Sequence, residues 1–236
     1  RGLGQRHVRA VARWRGRPVV ATSDGAFALR DGVFEPVDLG GNPCGDRIAS
    51  LEVFGDALWA GSFDRGLCRF DGTSWARWSG QGHLPSDMVH DMTAASDRLW
   101  VATHRGVAVV SEDGSIEQST VEDCRLPGRR DCPWHATVNG VTTDAKTGAV
   151  WMADVGSVPR IGERRWRHFY RQAGIRSPRL TRIAAWFGHV AVGTGDSGVL
   201  LLEKGRTFVP VDDQQGVADN WVMDLAYDDR GRLWVG

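Results

Sequence analysis

The sequence predicts an all-β chain assembled from repeated four-stranded antiparallel units. Three observations predict it. A pair of short sequence anchors recurs about every forty residues. A Leu-Trp-Val type strand sits inside most of the repeats. No segment carries a sustained helical period in its apolar residues.

The first anchor ends a connector and opens an apolar run. Its copies include Gly2-Leu3-Gly4-Gln5-Arg6-His7-Val8, Leu84-Pro85-Ser86-Asp87-Met88-Val89, Gly174-Ile175-Arg176-Ser177-Pro178-Arg179-Leu180 and Gly216-Val217-Ala218-Asp219-Asn220-Trp221-Val222, with looser copies ending at Ile48 and Val138. The anchor falls at positions 8, 48, 89, 138, 180 and 222, in steps of 40, 41, 49, 42 and 42 residues. The second anchor is Val19-Val20-Ala21-Thr22, Leu58-Trp59-Ala60-Gly61-Ser62, Leu99-Trp100-Val101-Ala102-Thr103, Val150-Trp151-Met152-Ala153-Asp154, Val190-Ala191-Val192-Gly193-Thr194 and Leu233-Trp234-Val235-Gly236.

Each repeat reads as strands A to D. Strand A follows the connector (Val89-His90-Asp91-Met92), and a turn such as Ala94-Ala95-Ser96-Asp97 or Asp228-Asp229-Arg230-Gly231 leads to strand B at the second anchor. A Gly-containing loop opens strand C (Gly66-Leu67-Cys68-Arg69-Phe70), and a Gly turn such as Asp31-Gly32 or Asp71-Gly72 leads to strand D, marked by Phe34, Trp75, Trp166 or Phe208. Gly and Asp supply turn conformations, while β-branched and aromatic residues fit the pleated faces. Four-stranded repeats of roughly 40–45 residues are the signature of β-propeller blades. One blade cannot bury both faces of its sheet, so neighbours must stack. Trp59, Trp100, Trp151 and Trp234 are expected to form that inter-blade core.

The expected architecture is a single domain over 1–236, with repeats near 1–41, 42–83, 84–131, 132–173, 174–215 and 216–236. That makes five complete blades and a truncated sixth, from a parent ring of six or seven blades. Unpaired blade edges lead us to expect further residues beyond both ends. Twenty-nine basic residues balance twenty-nine acidic ones, which gives no electrostatic attraction for nucleic acid or anionic membrane. Only Lys146 and Lys204 are lysines, so Arg supplies the positive charge and suits recognition surfaces. No apolar run approaches the roughly 18 residues that span a bilayer.

The unit Gly-Leu-Pro-Ser-Asp-x-Val, then Leu-Trp-Val-Gly/Ala-Thr, then Gly-Leu-x-Arg-Phe-Asp-Gly-x-x-Trp resembles the two-component regulator propeller repeat. Leu84-Pro85-Ser86-Asp87 with Leu99-Trp100-Val101-Ala102-Thr103 carries the first half, and Gly66-Leu67-Cys68-Arg69-Phe70-Asp71-Gly72-Thr73-Ser74-Trp75 the second. The resemblance covers essentially the whole chain and departs in repeats 1, 4 and 5, where Trp or the Pro-Ser connector is lost. It implies a bacterial, periplasmic, sensory propeller that binds ligands such as oligosaccharides; the same repeat also occurs in exported proteins without a kinase.

Gly195-Asp196-Ser197-Gly198, with Val101-Ala102-Thr103-His104 upstream, imitates a serine protease. In the repeat register both stretches are B–C loops, two blades apart, and Val199 stands where the protease signature has a second Gly. Ser197 is therefore expected not to be a nucleophile. No phosphate loop or His-Glu-x-x-His motif is present, and His7, His83, His90, His104, His135, His168 and His189 lack metal-ligand spacing. No cofactor, no metal and no enzymatic activity are expected. The basic aromatic run Arg164–Tyr170 reads as an outer strand with solvated Arg rather than a nucleic-acid surface.

Cys124 and Cys132 flank Pro127-Gly128 in the excess length of repeat 3 and are expected to form a disulfide, which suits an oxidising compartment, periplasmic or extracellular, with the cytoplasm as the alternative. Cys44 and Cys68 are expected to be free. D–A connectors and B–C loops share one face and carry the variable side chains, so ligand contacts are expected there. The candidates are His7, Arg9, Arg47, Phe63, His90, His104, Trp134, His135, Asn139, Asp154, Arg179 and Trp221. Arg9, His90, Asn139 and Thr181 follow the strand A anchor and are expected to point toward a central channel. The leading reading is a non-enzymatic sensory or binding domain that takes a carbohydrate, peptide or protein ligand. A scaffolding propeller and an axial-site enzyme of the kind seen in streptogramin-lyase-type propellers are the alternatives. A large exposed apolar patch on the connector face would favour scaffolding.

Overall fold

The computed structural model describes residues 2–4, 6–37, 42–81, 84–119, 137–162 and 165–236, in two compact units, Arg1–His135 and Ala136–Gly236. Beyond two 3-10 turns, Arg171–Ala173 and Asp213–Gln215, the regular structure of the described residues is entirely strand.

The first unit holds three four-stranded antiparallel sheets. Sheet 1 is β1 (Val8–Trp14), β2 (Arg17–Thr22), β3 (Gly25–Arg30) and β4 (Val33–Pro36). Sheet 2 is β5 (Ile48–Phe54), β6 (Ala57–Ser62), β7 (Leu67–Phe70) and β8 (Trp75–Trp78). Sheet 3 is β9 (Val89–Ala95), β10 (Arg98–Thr103), β11 (Gly106–Val110) and β12 (Ile116–Ser119). The second unit holds sheet 4, β13 (Val138–Thr143), β14 (Val150–Asp154), β15 (Val158–Gly162) and β16 (Arg165–Phe169). Sheet 5 follows as β17 (Leu180–Trp186), β18 (His189–Thr194), β19 (Val199–Glu203) and β20 (Thr207–Val211), and a two-stranded sheet 6 as β21 (Leu225–Tyr227) and β22 (Leu233–Val235). Every sheet is a meander whose strands pair in chain order. Within a unit the sheets stack through their first strands: β1 lies on β5 and β5 on β9, while β13 lies on β17 and β17 on β21.

The Gly that opens strand C has a geometric cause. Gly66 and Gly198 sit at φ +83° and +70°, in the left-handed region, and a Cβ there would stand 2.2 and 2.3 Å from the carbonyl oxygens of Trp78 and Val211. Ahead of this Gly, a buried hydroxyl ends strand B. Thr22, Thr103 and Thr194 each donate to the carbonyl of Gly25, Gly106 and Gly198, at 3.0, 2.8 and 2.9 Å. The B–C turn is thus closed from inside by a repeated side chain.

The tryptophan core forms in part. Trp59 is buried, donates to the Phe54 carbonyl and stacks on Trp78. It packs with Leu99 and Val101 of the next sheet. Trp151 is buried against Phe169 and packs with Leu180 and Val190. The position therefore faces the following sheet. Trp234 is 59% exposed, with Arg232 over its ring and its Nε1 donating to Asp228. Trp100 is only half-buried.

The cysteines correct the sequence reading. Cys44 and Cys68 are bonded to each other, with Cα atoms 6.0 Å apart, and both are fully buried. The bond ties the connector ahead of β5 to β7. Their sequence separation is 24, and the sheet 2 meander closes that distance. Contact across the folded sheet, not proximity in sequence, sets this pairing. Cys124 and Cys132 lie outside the described residues.

Candidate functional site

Strand A carries a register irregularity near its start in every four-stranded sheet. In sheets 1 to 4 the pairing skips the residue just after the anchor: Arg9, Ala49, His90 and Asn139. In sheet 5 it jumps from Leu180 to Ile183. A bulge re-aims the side chain it leaves unpaired. This places three of the four predicted inward-pointing residues on bulges and Thr181 within the sheet 5 shift.

In the first unit the bulges and B–C loops bring predicted residues together. The Arg9 guanidinium lies 5.3 Å from the Phe63 ring centroid, a cation–π contact between sheets 1 and 2. Beside it, Arg47 Nη1 donates to Asp64 Oδ2 at 3.0 Å, and the Phe63 amide donates to the Arg47 carbonyl. Asp64 escaped the sequence reading. Its signal is the Ser62-Phe63-Asp64 turn, in which the Ser62 hydroxyl donates to the Asp64 carboxylate at 3.0 Å. In sheet 3 the rings of His90 and His104 lie 5.9 Å apart, one at the start of β9 and one just past β10. His7 is exposed ahead of β1. This rim presents exposed guanidinium, an aromatic face, carboxylate and imidazole, which can make planar, charged and hydrogen-bonding contacts.

In the second unit two predicted residues bond successive sheets together. Asn139 Nδ2 donates to the Leu180 carbonyl at 2.7 Å, and Thr181 Oγ1 donates to the Val222 carbonyl at 2.7 Å. Both bonds join strand A of one sheet to the anchor of the next. Asp154 is 2% exposed and occupies the position of the Thr22, Thr103 and Thr194 hydroxyls. Its carboxylate accepts from the Val155 amide and from the Ser157 hydroxyl. Burial pushes this carboxyl up to about 7 despite those donors. Arg179 is exposed and its carbonyl receives the Gly195 amide. Trp221 is 63% exposed on its connector, next to Met223 at 65%. Trp134 and His135 lie outside the described residues.

Ser197 Oγ donates to Asp196 of its own turn at 2.8 Å, and its amide donates to Thr194 Oγ1. These are turn bonds. Among the described residues, no group of three or more His, Cys, Asp or Glu is gathered to hold a metal ion. Along the Arg164–Tyr170 run, Trp166, His168 and Tyr170 stack on one face of the outermost strand of sheet 4, and Arg167 is exposed over Phe169. One further carboxyl is perturbed. Glu52, on β5, is pushed up to about 7 by burial and by the neighbouring Asp91 of β9, which outweigh backbone bonds at Val53 and Ala94.

Stacked four-stranded meanders, joined through their first strands and read out at one rim, are β-propeller-type blades. The comparisons agree on this class. The chain is similar in structure to the extracellular domain of the putative one component system BT4673 from B. thetaiotaomicron, with a TM-score of 0.75 and 16% identity over 98% of this chain and 31% of that one. PorZ, a surface component of the type-IX secretion system of Porphyromonas gingivalis, matches with a TM-score of 0.64 and 15% identity, over 97% of this chain and 37% of that one. YCF48 from Cyanidioschyzon merolae matches with a TM-score of 0.63 and 13% identity, over 98% of this chain and 79% of that one. The chain thus spans about a third of the length of the extracellular domain it matches. No protein-family model and no curated protein matches the chain. No helix among the described residues is long and apolar enough to cross a membrane.

Proposed function

We propose that this chain is part of an extracytoplasmic, non-enzymatic propeller domain that captures a carbohydrate, peptide or protein ligand on its connector rim, in a sensor of the two-component regulator propeller type. One observation carries the reading. Arg9, Phe63, Arg47, Asp64, His90 and His104 come from three different sheets to one rim, while the opposite ends of those sheets are short turns. Residues 1–236 then belong to one propeller, completed by further blades to a ring of six or seven. The buried Cys44–Cys68 bond supports an oxidising compartment, as do the extracellular domains among the structural neighbours.

The test is binding of a panel of soluble oligosaccharides and peptides to the purified chain, followed by thermal shift and calorimetry. A hit that the R9A/F63A variant loses at least tenfold supports the rim. A hit that survives both that change and H90A/H104A removes it. The exposed Trp221 and Met223 favour the scaffolding reading as second choice, because an apolar connector suits a protein partner. Under that reading W221S/M223S abolishes a protein contact and leaves small-ligand binding intact.

A further inference from the structure

Sheets 2 and 4 fill the wedge toward the following sheet with a cross-strand pair. Trp59 stands opposite Arg69 and Trp151 opposite Arg160, with each guanidinium over its indole at 6.0 and 5.4 Å. The equivalent pair in sheet 1 is Val19 opposite Ala28. An indole and a guanidinium are replaced by an isopropyl and a methyl group, which pack with Leu58, Phe70 and Trp14. A cavity of about 440 Å³ lies there, lined by Val19, Ala28, Leu58, Phe70, Trp14 and Arg15 among others.

Its mouth is charged. Arg17 at the start of β2 and Arg30 at the end of β3 are both exposed and both line the cavity. Like charges on the wall of one cavity repel each other. Neither guanidinium takes part in an ion pair among the described residues, and Asp31, the neighbouring acid, pairs with neither. The other polar groups at the wall are committed. Arg15 donates to the Asp71 carbonyl at 2.7 Å and covers Trp14, whose Nε1 donates to the Asp56 carbonyl. The Asp71 carboxylate is occupied by Thr73 and Ser74.

We propose that this cavity is a second binding site, at the turn end of the wedge between sheets 1 and 2, for a small carboxylate carried on an apolar or aromatic ring. The ring lies against the apolar wall that Val19, Ala28, Leu58 and Phe70 contribute to the cavity. The carboxylate bridges Arg17 and Arg30, whose paired forks suit a planar anion and whose mutual repulsion it relieves. A sugar acid fits less well, because the walls beneath the arginines offer carbon rather than hydrogen-bonding groups.

The probes are indole-3-acetate, its neutral amide indole-3-acetamide, and inorganic sulfate, titrated by calorimetry into the purified chain. Saturable binding of indole-3-acetate, at least tenfold tighter than the amide or sulfate, is expected. R17Q/R30Q is expected to weaken it at least tenfold while raising the Tm of the unliganded protein. V19W/A28R restores the pair of the sister sheets and is expected to abolish binding with the fold intact; should it misfold, R17Q/R30Q decides alone. Absence of saturable binding, equal binding of acid and amide, or binding undiminished in R17Q/R30Q overturns the proposal. R9A/F63A should leave this site untouched, so its failure and that of the rim are told apart.

Discussion

Asn139 on the β13 bulge donates to the Leu180 carbonyl at 2.7 Å, and the two residues are separated by 41 positions, one full repeat. Thr181 makes the corresponding bond to Val222, also 41 positions on. The bulge supplies a side chain, the next anchor supplies a carbonyl, and the bond fixes the offset between successive sheets. Truncation leaves a half-buried carbonyl without this donor. N139A should therefore cost about 1 kcal/mol of stability, and N139A/T181A roughly the sum if the sites are independent. Denaturant melts measure this, and ligand binding at the first-unit rim should not change.

The Cys44–Cys68 bond closes a loop with a sequence separation of 24. A loop of that size restricts the unfolded chain by about 3 kcal/mol. C44A/C68A is expected to lower Tm by roughly 5–10 °C for a chain of this length. Mass spectrometry of the unreduced protein after alkylation should find both residues unlabelled. Labelling of either would refute the pairing.

Asp154 and Glu52 govern the pH response. Each carboxyl is raised to about 7 in the folded protein, by burial for Asp154 and by burial with Asp91 for Glu52. The unfolded chain releases these protons at ordinary carboxylate values near 4. Between about pH 4 and pH 7 the folded state therefore binds more protons, and stability falls as pH rises through that window before levelling above it. D154T restores the hydroxyl used at Thr22, Thr103 and Thr194. It should gain stability at pH 8, gain little at pH 4, and flatten the slope; E52Q should flatten it further. An unchanged slope in the double variant, read from urea melts across pH, would exclude both groups.

Gly66 cannot accept a side chain. At φ +83°, with the Trp78 carbonyl oxygen 2.2 Å from the position of a Cβ, alanine meets both backbone strain and a clash. G66A is expected to cost about 2 kcal/mol or more. G205A, where nothing lies within 4 Å, should cost less, since only its φ of +64° opposes alanine. Comparing the two Tm values separates the clash from the strain.

The repeat, the order of strands A to D and the turn positions are legible in the chain because their causes act between sequence neighbours. Alternating apolar residues select a pleated strand, Asp closes turns with its own next amides, and Gly66 and Gly198 permit a local φ that other residues resist. Register placed Ser197 in a turn for the same reason. Which faces meet is decided across longer separations. Cys44 reaches Cys68 only once sheet 2 has folded back on itself, and Asn139 finds Leu180 only when one sheet has stacked on the next. The repeated tryptophans look alike in sequence, and Trp59 and Trp151 owe their burial to the sheet that follows each. The same dependence on stacking forms the cavity that Val19 and Ala28 line together with Leu58 and Phe70 of the next sheet. Burial is a property of paired surfaces, and pairing is settled by packing in three dimensions.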